Sequence, residues 1–242
     1  YIMGDNNGNI YYSRYGRIRK ISLAPTYVDS TVIGHPKFTG FKDGIGSNAL
    51  LSSISYFAFD KYRNIWICDV GNRLLRKLDH ISGMVSTVAG NISAVNTTMR
   101  LNQNVVDGYG TYSSFGNVVS VAIDSRTDIV YVGDSVGHAI RMIDSTNYLR
   151  TIVGGTTTSP VTLPSDNQIG TFVKIAGLFG MVVCEPLNAL YFVDKLFYIR
   201  RVDLSTLLVT TLVGFSSSFD GMGLVDGIGS NARFGKLFTI GM

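Results

Sequence analysis

Short apolar segments of four to seven residues recur along the whole chain, and Gly, Asn, Asp and Ser lie between them. The segments are rich in Val, Ile, Tyr and Phe, which favour a pleated, half-buried strand. No stretch keeps a helical period over three turns. The pattern therefore predicts an all-β chain with tight turns.

The segments repeat at a fixed interval of about 60 residues. The heptapeptide DGIGSNA at 43–49 returns unchanged at 226–232, and related copies occur at 107–110 and 166–170. The strand-like segment NIWICD at 64–69 returns as DIVYVGD and ALYFVD, and LRKLD at 75–79 returns as IRMID and IRRVD. A fixed period built from four short apolar segments is typical of a repeat architecture.

Four strands per repeat indicate the blades of a β-propeller, in which each blade buries one face against the next. The repeats run from about 1–37, 38–102, 103–164 and 165–224, with a partial copy at 225–242. Because Leu237–Met242 aligns with a first strand, we expect four complete four-stranded blades and the first strand of a fifth. Exposed blade faces would be adhesive, so these repeats are expected to be an arc of a larger ring.

The order of these motifs resembles the NHL-repeat family over the whole chain. DG-x-G, the strand ending in Asp69, Leu-Arg-Lys-Leu-Asp and Thr-Val-Ala-Gly carry the resemblance. It implies one propeller domain, usually closed by six blades. It leaves function open, because the family includes binding platforms for protein, RNA and carbohydrate-rich surfaces.

An aspartate and an arginine recur together in three repeats, as Asp69 with Arg76, Asp134 with Arg141 and Asp194 with Arg200. We interpret them as structural ion pairs between adjacent strands that keep the edge of the sheet in register. The alternative is a ring of exposed arginines for an anionic ligand.

In the first repeat Ser13-Arg14 stands where Cys68-Asp69 stands in the second, so Arg19 lacks the expected partner. Arg14, Arg17, Arg19 and Lys20 then form the densest basic cluster, a candidate anion-binding patch.

Catalytic and metal chemistry find no support in the residue spacing. His35, His80 and His138 occupy different repeat positions and suggest no converging metal ligands. Cys68 and Cys184 fall in non-adjacent repeats, where a disulfide is not expected. We therefore predict no catalytic residue, no metal site and no cofactor. The Gly-rich loops precede no Lys-Ser/Thr and open no helix, so they do not indicate phosphate binding.

Composition changes this picture in one respect. Charged residues are only 16% of the chain and the net charge is +4, whereas 23 Ser, 19 Thr and 15 Asn supply an uncharged polar surface. The longest apolar stretch, about ten residues at 175–184, is too short to span a bilayer. Two N-glycosylation sequons begin at Asn91 and Asn96, in a polar loop between repeats. These features favour an extracellular or cell-surface location.

The sequence thus predicts a non-enzymatic binding or structural scaffold module that meets protein partners, or copies of itself, through propeller loops and rim. Two alternatives stay open. An RNA-binding propeller would need Lys and Arg clustered on one face, and a metal-dependent lyase or hydrolase would need inward-pointing His, Asp or Asn.

Overall fold

The computed structural model describes residues 1–5, 7–23, 25–91, 105–155, 167–194, 197–214 and 225–241. It contains antiparallel strands joined by tight turns, and the helical elements in the described ranges are three-residue 3-10 turns. The prediction of an all-β chain is confirmed. No helix in these ranges is long and apolar enough to cross a membrane.

The chain divides into two compact units, Tyr1–Val118 and Val119–Met242. In the first unit, sheet 1 has the order β1-β2-β3-β4 and sheet 2 the order β5-β9-β8-β7-β6. These strands are β1 Ile2–Gly4, β2 Ile10–Arg14, β3 Arg17–Ser22, β4 Val28–Ile33, β5 Gly44–Ile45, β6 Ile54–Phe59, β7 Ile65–Asp69, β8 Leu74–Leu78 and β9 Met84–Ala89; β10 Gly108–Tyr109 follows.

In the second unit, sheet 3 contains β14-β13-β12-β11 and sheet 4 has the order β15-β19-β18-β17-β16. The strands are β11 Val118–Asp124, whose first residue closes the first unit, β12 Ile129–Asp134, β13 Ala139–Ile143, β14 Tyr148–Gly154, β15 Gln168–Ile169, β16 Leu178–Cys184, β17 Ala189–Asp194, β18 Tyr198–Asp203 and β19 Leu208–Val213.

Sheets 2 and 4 each have one strand more than the four that the sequence predicts. In both of these sheets a two-residue strand from the DG-x-G region joins the outer edge. Gly44 and Ile45 pair with Val85 and Met84 of β9, and β15 pairs with β19 in the same way. A two-residue segment carries too little periodicity to be recognised as a strand, so the sequence pattern missed it.

Each unit is held together by a core between its own two sheets. In the first unit Ile18, Phe57 and Ile67 are fully buried in one apolar cluster. In the second, Ile140, Phe192 and Val202 are fully buried in another. Strand alternation turns one face of each sheet toward its neighbour, and burial of that face stabilises both sheets.

The fifth repeat that the sequence predicts is present only in part over the described residues, and its first strand stays a prediction. The region 225–241 holds the bridge Val225–Arg233 and a 3-10 turn at Gly229–Asn231, but residues 237–241 are not in a strand. Residues 237–241 instead pack on sheet 4, where a Cβ on Gly180 would lie 2.6 Å from Thr239 Cα.

Candidate functional site

The recurrent aspartate and arginine meet inside the sheets. In sheet 2 Asp69 ends β7, and Arg76 lies on β8 opposite Ile67. Arg76 Nη1 donates to Asp69 Oδ2 at 3.1 Å, and Nη2 donates to Asp43 Oδ1 at 2.7 Å. The same guanidinium also donates to the carbonyl oxygens of Lys42 and Leu50. Arg76 therefore ties the DG-x-G region to the centre of its own sheet.

The other two pairs repeat this arrangement. Asp134 and Arg141 are 3.7 Å apart, and Asp194 and Arg200 are 3.2 Å apart. All six side chains are 0% exposed. They lie within the sheets and not at an edge, out of reach of a dissolved anion. This burial supports the interpretation of the pairs as structural, which stays a prediction.

Burial sets the charge balance of these carboxyl groups. Desolvation raises the pKa of Asp69, while hydrogen bonds from Asn72, the Ser52 N–H and Arg76 act against it. Desolvation likewise raises the pKa of Asp194 against the charge of Arg200. Each carboxylate needs its partners because an unpaired buried charge is costly.

Arg19 lacks the partner that Arg76 has, because Arg14 takes the position of Asp69, but it has another partner that the sequence did not suggest. Its guanidinium makes an ion pair with Asp29 at 2.9 Å and donates from Nε to the Tyr12 hydroxyl at 3.0 Å. Asp29 lies on β4, at the position that the buried Val85 occupies in sheet 2. The equivalence of these two positions follows from the strand registers and not from the repeat pattern.

Three of the four basic side chains of the predicted patch share one face of sheet 1, since Arg14 is opposite Arg17 and Arg19 is two residues further along β3. Arg19 and Lys20 are consecutive in β3 and point to opposite faces, and Lys20 Nζ lies 5.8 Å from the Tyr11 ring centroid. Arg14 is exposed above the Tyr15 ring, and Arg17 is half-buried. Lys20 is thus on the other face and Arg19 is paired with Asp29, and an anion-binding patch at Arg14 and Arg17 stays a prediction.

The DG-x-G loops connect successive repeats. The second glycine has φ between +50° and +58° in all four copies, which are Gly46, Gly110, Gly170 and Gly229. Glycine adopts a positive φ without steric cost, whereas the first glycine of the motif does not have a positive φ. The carbonyl groups of three of these glycines accept hydrogen bonds from the N–H of the glycine that follows the last strand of the preceding sheet, in the pairs Gly34–Gly46, Gly90–Gly110 and Gly214–Gly229.

Each of these rigid loops displays an apolar side chain. The third residue of the motif is 58%, 60%, 54% and 90% exposed at Ile45, Tyr109, Ile169 and Ile228. Exposed single apolar residues are common on proteins. Here they recur at one position of a loop that backbone hydrogen bonds and a positive φ hold in place. Three of them lie in the two-residue strands β5, β10 and β15 that precede the turn, and we call all four residues the loop tips.

His35 and His80 take part in local hydrogen bonds, and both cysteines are buried. His35 Nδ1 accepts from the backbone N–H groups of Lys37 and Phe38, and the His80 N–H donates to Asn64. Over the described ranges, no group of three or more His, Cys, Asp and Glu could hold a metal ion. Cys68 and Cys184 are both buried free thiols.

The first of the two sequons begins directly after sheet 2. Asn91 is exposed and follows Gly90, the residue after β9. Asn96 lies outside the described residues.

The sequence reasoning missed a cleft in the second unit. It has a volume of about 610 Å³ and lies between sheet 3, the loop 169–172 and the turn 204–207 of sheet 4. Its floor is apolar and its lining includes one charged residue, Arg150. No motif marks it, because its walls come from two repeats and become neighbours only in the folded unit.

Comparison with known proteins supports the fold. No protein-family model matches the chain, and no curated protein sequence matches it. Solved structures do match. An auxiliary nutrient binding protein from Bacteroides ovatus has a TM-score of 0.59 at 17% identity, over 99% of this chain and 63% of that one.

Two further solved structures are similar in the same way. A structural genomics protein of unknown function from Bacteroides thetaiotaomicron has a TM-score of 0.57 at 18% identity, over 99% of this chain and 63% of that one. A chain of a nidogen/laminin complex has a TM-score of 0.56 at 12% identity, over 86% and 66%. The chain thus spans about 63% of the length of both Bacteroides proteins. These neighbours are β-propeller-like, and the fold of this chain is propeller-like.

Proposed function

We propose that this chain is a non-enzymatic scaffold module of an extracellular or cell-surface protein, built from NHL-type propeller repeats, and that it assembles with copies of itself. The main support is that an exposed apolar side chain recurs at each loop tip, at Ile45, Tyr109, Ile169 and Ile228. An apolar side chain on a rigid loop loses little conformational entropy on binding, and its burial in an interface is favourable.

The composition supports protein contact over nucleic-acid contact. Only 16% of the residues are charged, and the net charge is +4. Affinity for RNA grows with the number of phosphates that Lys and Arg neutralise. The densest basic cluster has one arginine paired with Asp29 and a lysine on the opposite face of its strand. A surface rich in Ser, Thr and Asn imposes little charge repulsion between identical copies.

Two measurements on protein secreted from eukaryotic cells test the proposal: sedimentation velocity tests self-assembly, and intact mass tests the extracellular location. We expect the sedimentation coefficient to rise with concentration, and the intact mass to fall on enzymatic removal of N-glycans. The loop-tip variant carries Ile45→Lys, Tyr109→Lys, Ile169→Lys and Ile228→Lys. Charges at an apolar interface must be desolvated, so this variant should stay monomeric at all concentrations.

A matched control carries four lysines at exposed apolar residues outside the loop tips, by Tyr27→Lys, Tyr62→Lys, Ile81→Lys and Leu187→Lys. Both variants gain the same charge, so general repulsion acts on them equally. The control should associate like the parent chain. A monomeric parent chain, or equal loss of association in both variants, would refute the assembly.

A further inference from the structure

Each sheet carries an aromatic residue on one face of β2, β7, β12 or β17. It lies directly opposite a residue of the next strand, which is β3, β8, β13 or β18. The opposing residue is basic in three sheets, in the pairs Tyr11–Lys20, Trp66–Lys77 and Tyr191–Arg201. Lys77 Nζ lies 5.0 Å from the Trp66 ring centroid, and Lys20 Nζ lies 5.8 Å from that of Tyr11. In sheets 1 and 2 the cation therefore covers the aromatic ring.

Sheet 3 departs from this arrangement. Tyr131 is opposite Met142, which is uncharged, and the basic residue appears one strand further out as Arg150, opposite Met142 on β14. The equivalent outer residue in sheet 1 is Ser30, which is opposite Lys20. In sheet 3 the basic side chain therefore lies on the outer strand β14, and the apolar side chain of Met142 occupies the position on β13 where the other sheets have a lysine or arginine.

The cleft of about 610 Å³ lies over this part of sheet 3. This volume is within the range of roughly 300–1,000 Å³ that is typical of small-molecule sites. Tyr131, Met142 and Ile152 of the floor are less than 10% exposed, and the 79%-exposed Phe172 stands at the lip. The floor and lip can therefore cover an apolar body of one or two rings.

Arg150 supplies the polar contact of the cleft. Its Nη2 lies 3.5 Å from Met142 Sδ, which is a weak acceptor. Within the described residues no carboxylate makes an ion pair with Arg150, and the cleft lining contains no Asp or Glu. A guanidinium at the edge of an apolar cleft is suited to one carboxylate, with which it can form two parallel hydrogen bonds.

We propose that this cleft is a binding site for a small apolar carboxylate, whose ring or chain lies on the floor formed by Tyr131, Met142 and Ile152 and whose carboxylate pairs with Arg150. This site does not rest on the proposed self-assembly, although the two share one residue. The cleft is lined by one loop tip, Ile169, but its floor and its charge come from sheet 3.

Isothermal titration with 2-naphthoate and its neutral counterpart 2-naphthamide tests the proposal. We expect naphthoate to bind with a sub-millimolar Kd and the amide to bind roughly tenfold more weakly, the effect of losing one charge-assisted interaction. Arg150→Gln should abolish the difference between acid and amide. Arg150 is exposed, so this variant is expected to fold.

Two further variants separate the site from general effects. Lys37→Gln removes the same charge from an exposed residue of the first unit and should leave both affinities unchanged. Thr171→Trp places a large ring at the exposed lip and should eliminate binding of both compounds. Absence of naphthoate binding, an acid preference that survives Arg150→Gln, or an equal effect of Lys37→Gln would overturn the proposal. Loss of self-association in the loop-tip variant would not affect it.

Discussion

Sheets 1 and 2 lie in the same unit and share one core, yet they use their arginine differently. In sheet 2 Arg76 is fully buried between Asp69 and Asp43 and also satisfies two backbone carbonyls. In sheet 1 Arg19 is 21% exposed and pairs with Asp29, which is 45% exposed. The position of Asp69 is taken by Arg14, which points to solvent.

The comparison separates what the fold requires from what it tolerates. Sheet 1 forms the same four strands and contributes Ile18 and Ile33 to the common core without a buried ion pair. The buried pair is therefore not needed to form the sheet. Its contacts with Lys42, Asp43 and Leu50 instead fix the segment that enters sheet 2.

Removal of each arginine gives the largest expected contrast. Arg76→Met leaves Asp69 buried without its cation, and we expect a loss of about 3–5 kcal/mol in the free energy of unfolding. Arg19→Met breaks a solvent-exposed pair and should cost roughly 0–1 kcal/mol. Urea denaturation followed by circular dichroism measures both. Equal costs would contradict the distinction between the two sheets.

Gly34 and Gly90, which follow the last strands of sheets 1 and 2, should have similar effects on the free energy of unfolding when they are replaced. They therefore provide a control. Gly34 and Gly90 have φ of +94° and +111°, and a Cβ would lie 2.4 Å from Gly16 O and 2.7 Å from Arg73 O, respectively. We expect Gly34→Ala and Gly90→Ala each to cost roughly 2–4 kcal/mol, from backbone strain plus overlap.

Gly46→Ala isolates the strain, because a Cβ there meets nothing within 4 Å and φ is +54°. It should cost only about 1–2 kcal/mol. If Gly34→Ala proved much milder than Gly90→Ala, sheet 1 would be the more loosely packed sheet, and its tolerance of an exposed arginine would need that explanation instead.

The smallest expected effect is the opposite response of the two aspartates to pH. The hydrogen bond from Arg19 lowers the pKa of Asp29 below its ordinary value of about 3.9. Its stabilising contribution is present above that value and is lost as the pH falls through the folded-state pKa. Burial raises the pKa of Asp69, so the folded state holds this proton more tightly. Its contribution therefore falls as the pH rises from about 3.9 toward the folded-state pKa.

Carboxyl carbon chemical shifts of labelled aspartate, followed by NMR from pH 2 to 7, distinguish the two groups. Asp29 should titrate below and Asp69 above the ordinary value. Asp29→Asn and Asp69→Asn assign the two resonances. A titration of Asp69 below that of Asp29 would show that its hydrogen bonds outweigh its burial.

Much of the fold was accessible from sequence because it depends on local periodicity. Ile65–Asp69 and Leu74–Leu78 were recognisable as strands from their apolar alternation and the turn residues between them. The seven-residue spacing of Asp69 and Arg76 was sufficient to suggest contact between adjacent strands. The spacing did not reveal Asp43 as a second partner of the arginine, because that contact joins residues 33 positions apart through the folded sheet.

The surfaces were less accessible. The repeat pattern identified the DG-x-G loops but not the exposure of Ile45 or Ile228, because an apolar residue in a loop is buried or exposed according to what packs over it. The patch expected at Arg14–Lys20 keeps only Arg14 and Arg17 as unshared members on one face, for a different reason. Residues that are close in sequence alternate between faces in a strand, and one of them found a partner in Asp29 on the next strand.

The sequence by itself determined that this chain is a series of antiparallel repeats, because strand periodicity and glycine placement are properties of short segments. Tertiary structure alone decided which charges are buried, which loop residues are exposed, and where a cleft opens above Tyr131. Those outcomes depend on the distance and facing of side chains from different sheets, and that geometry exists only after the sheets have packed.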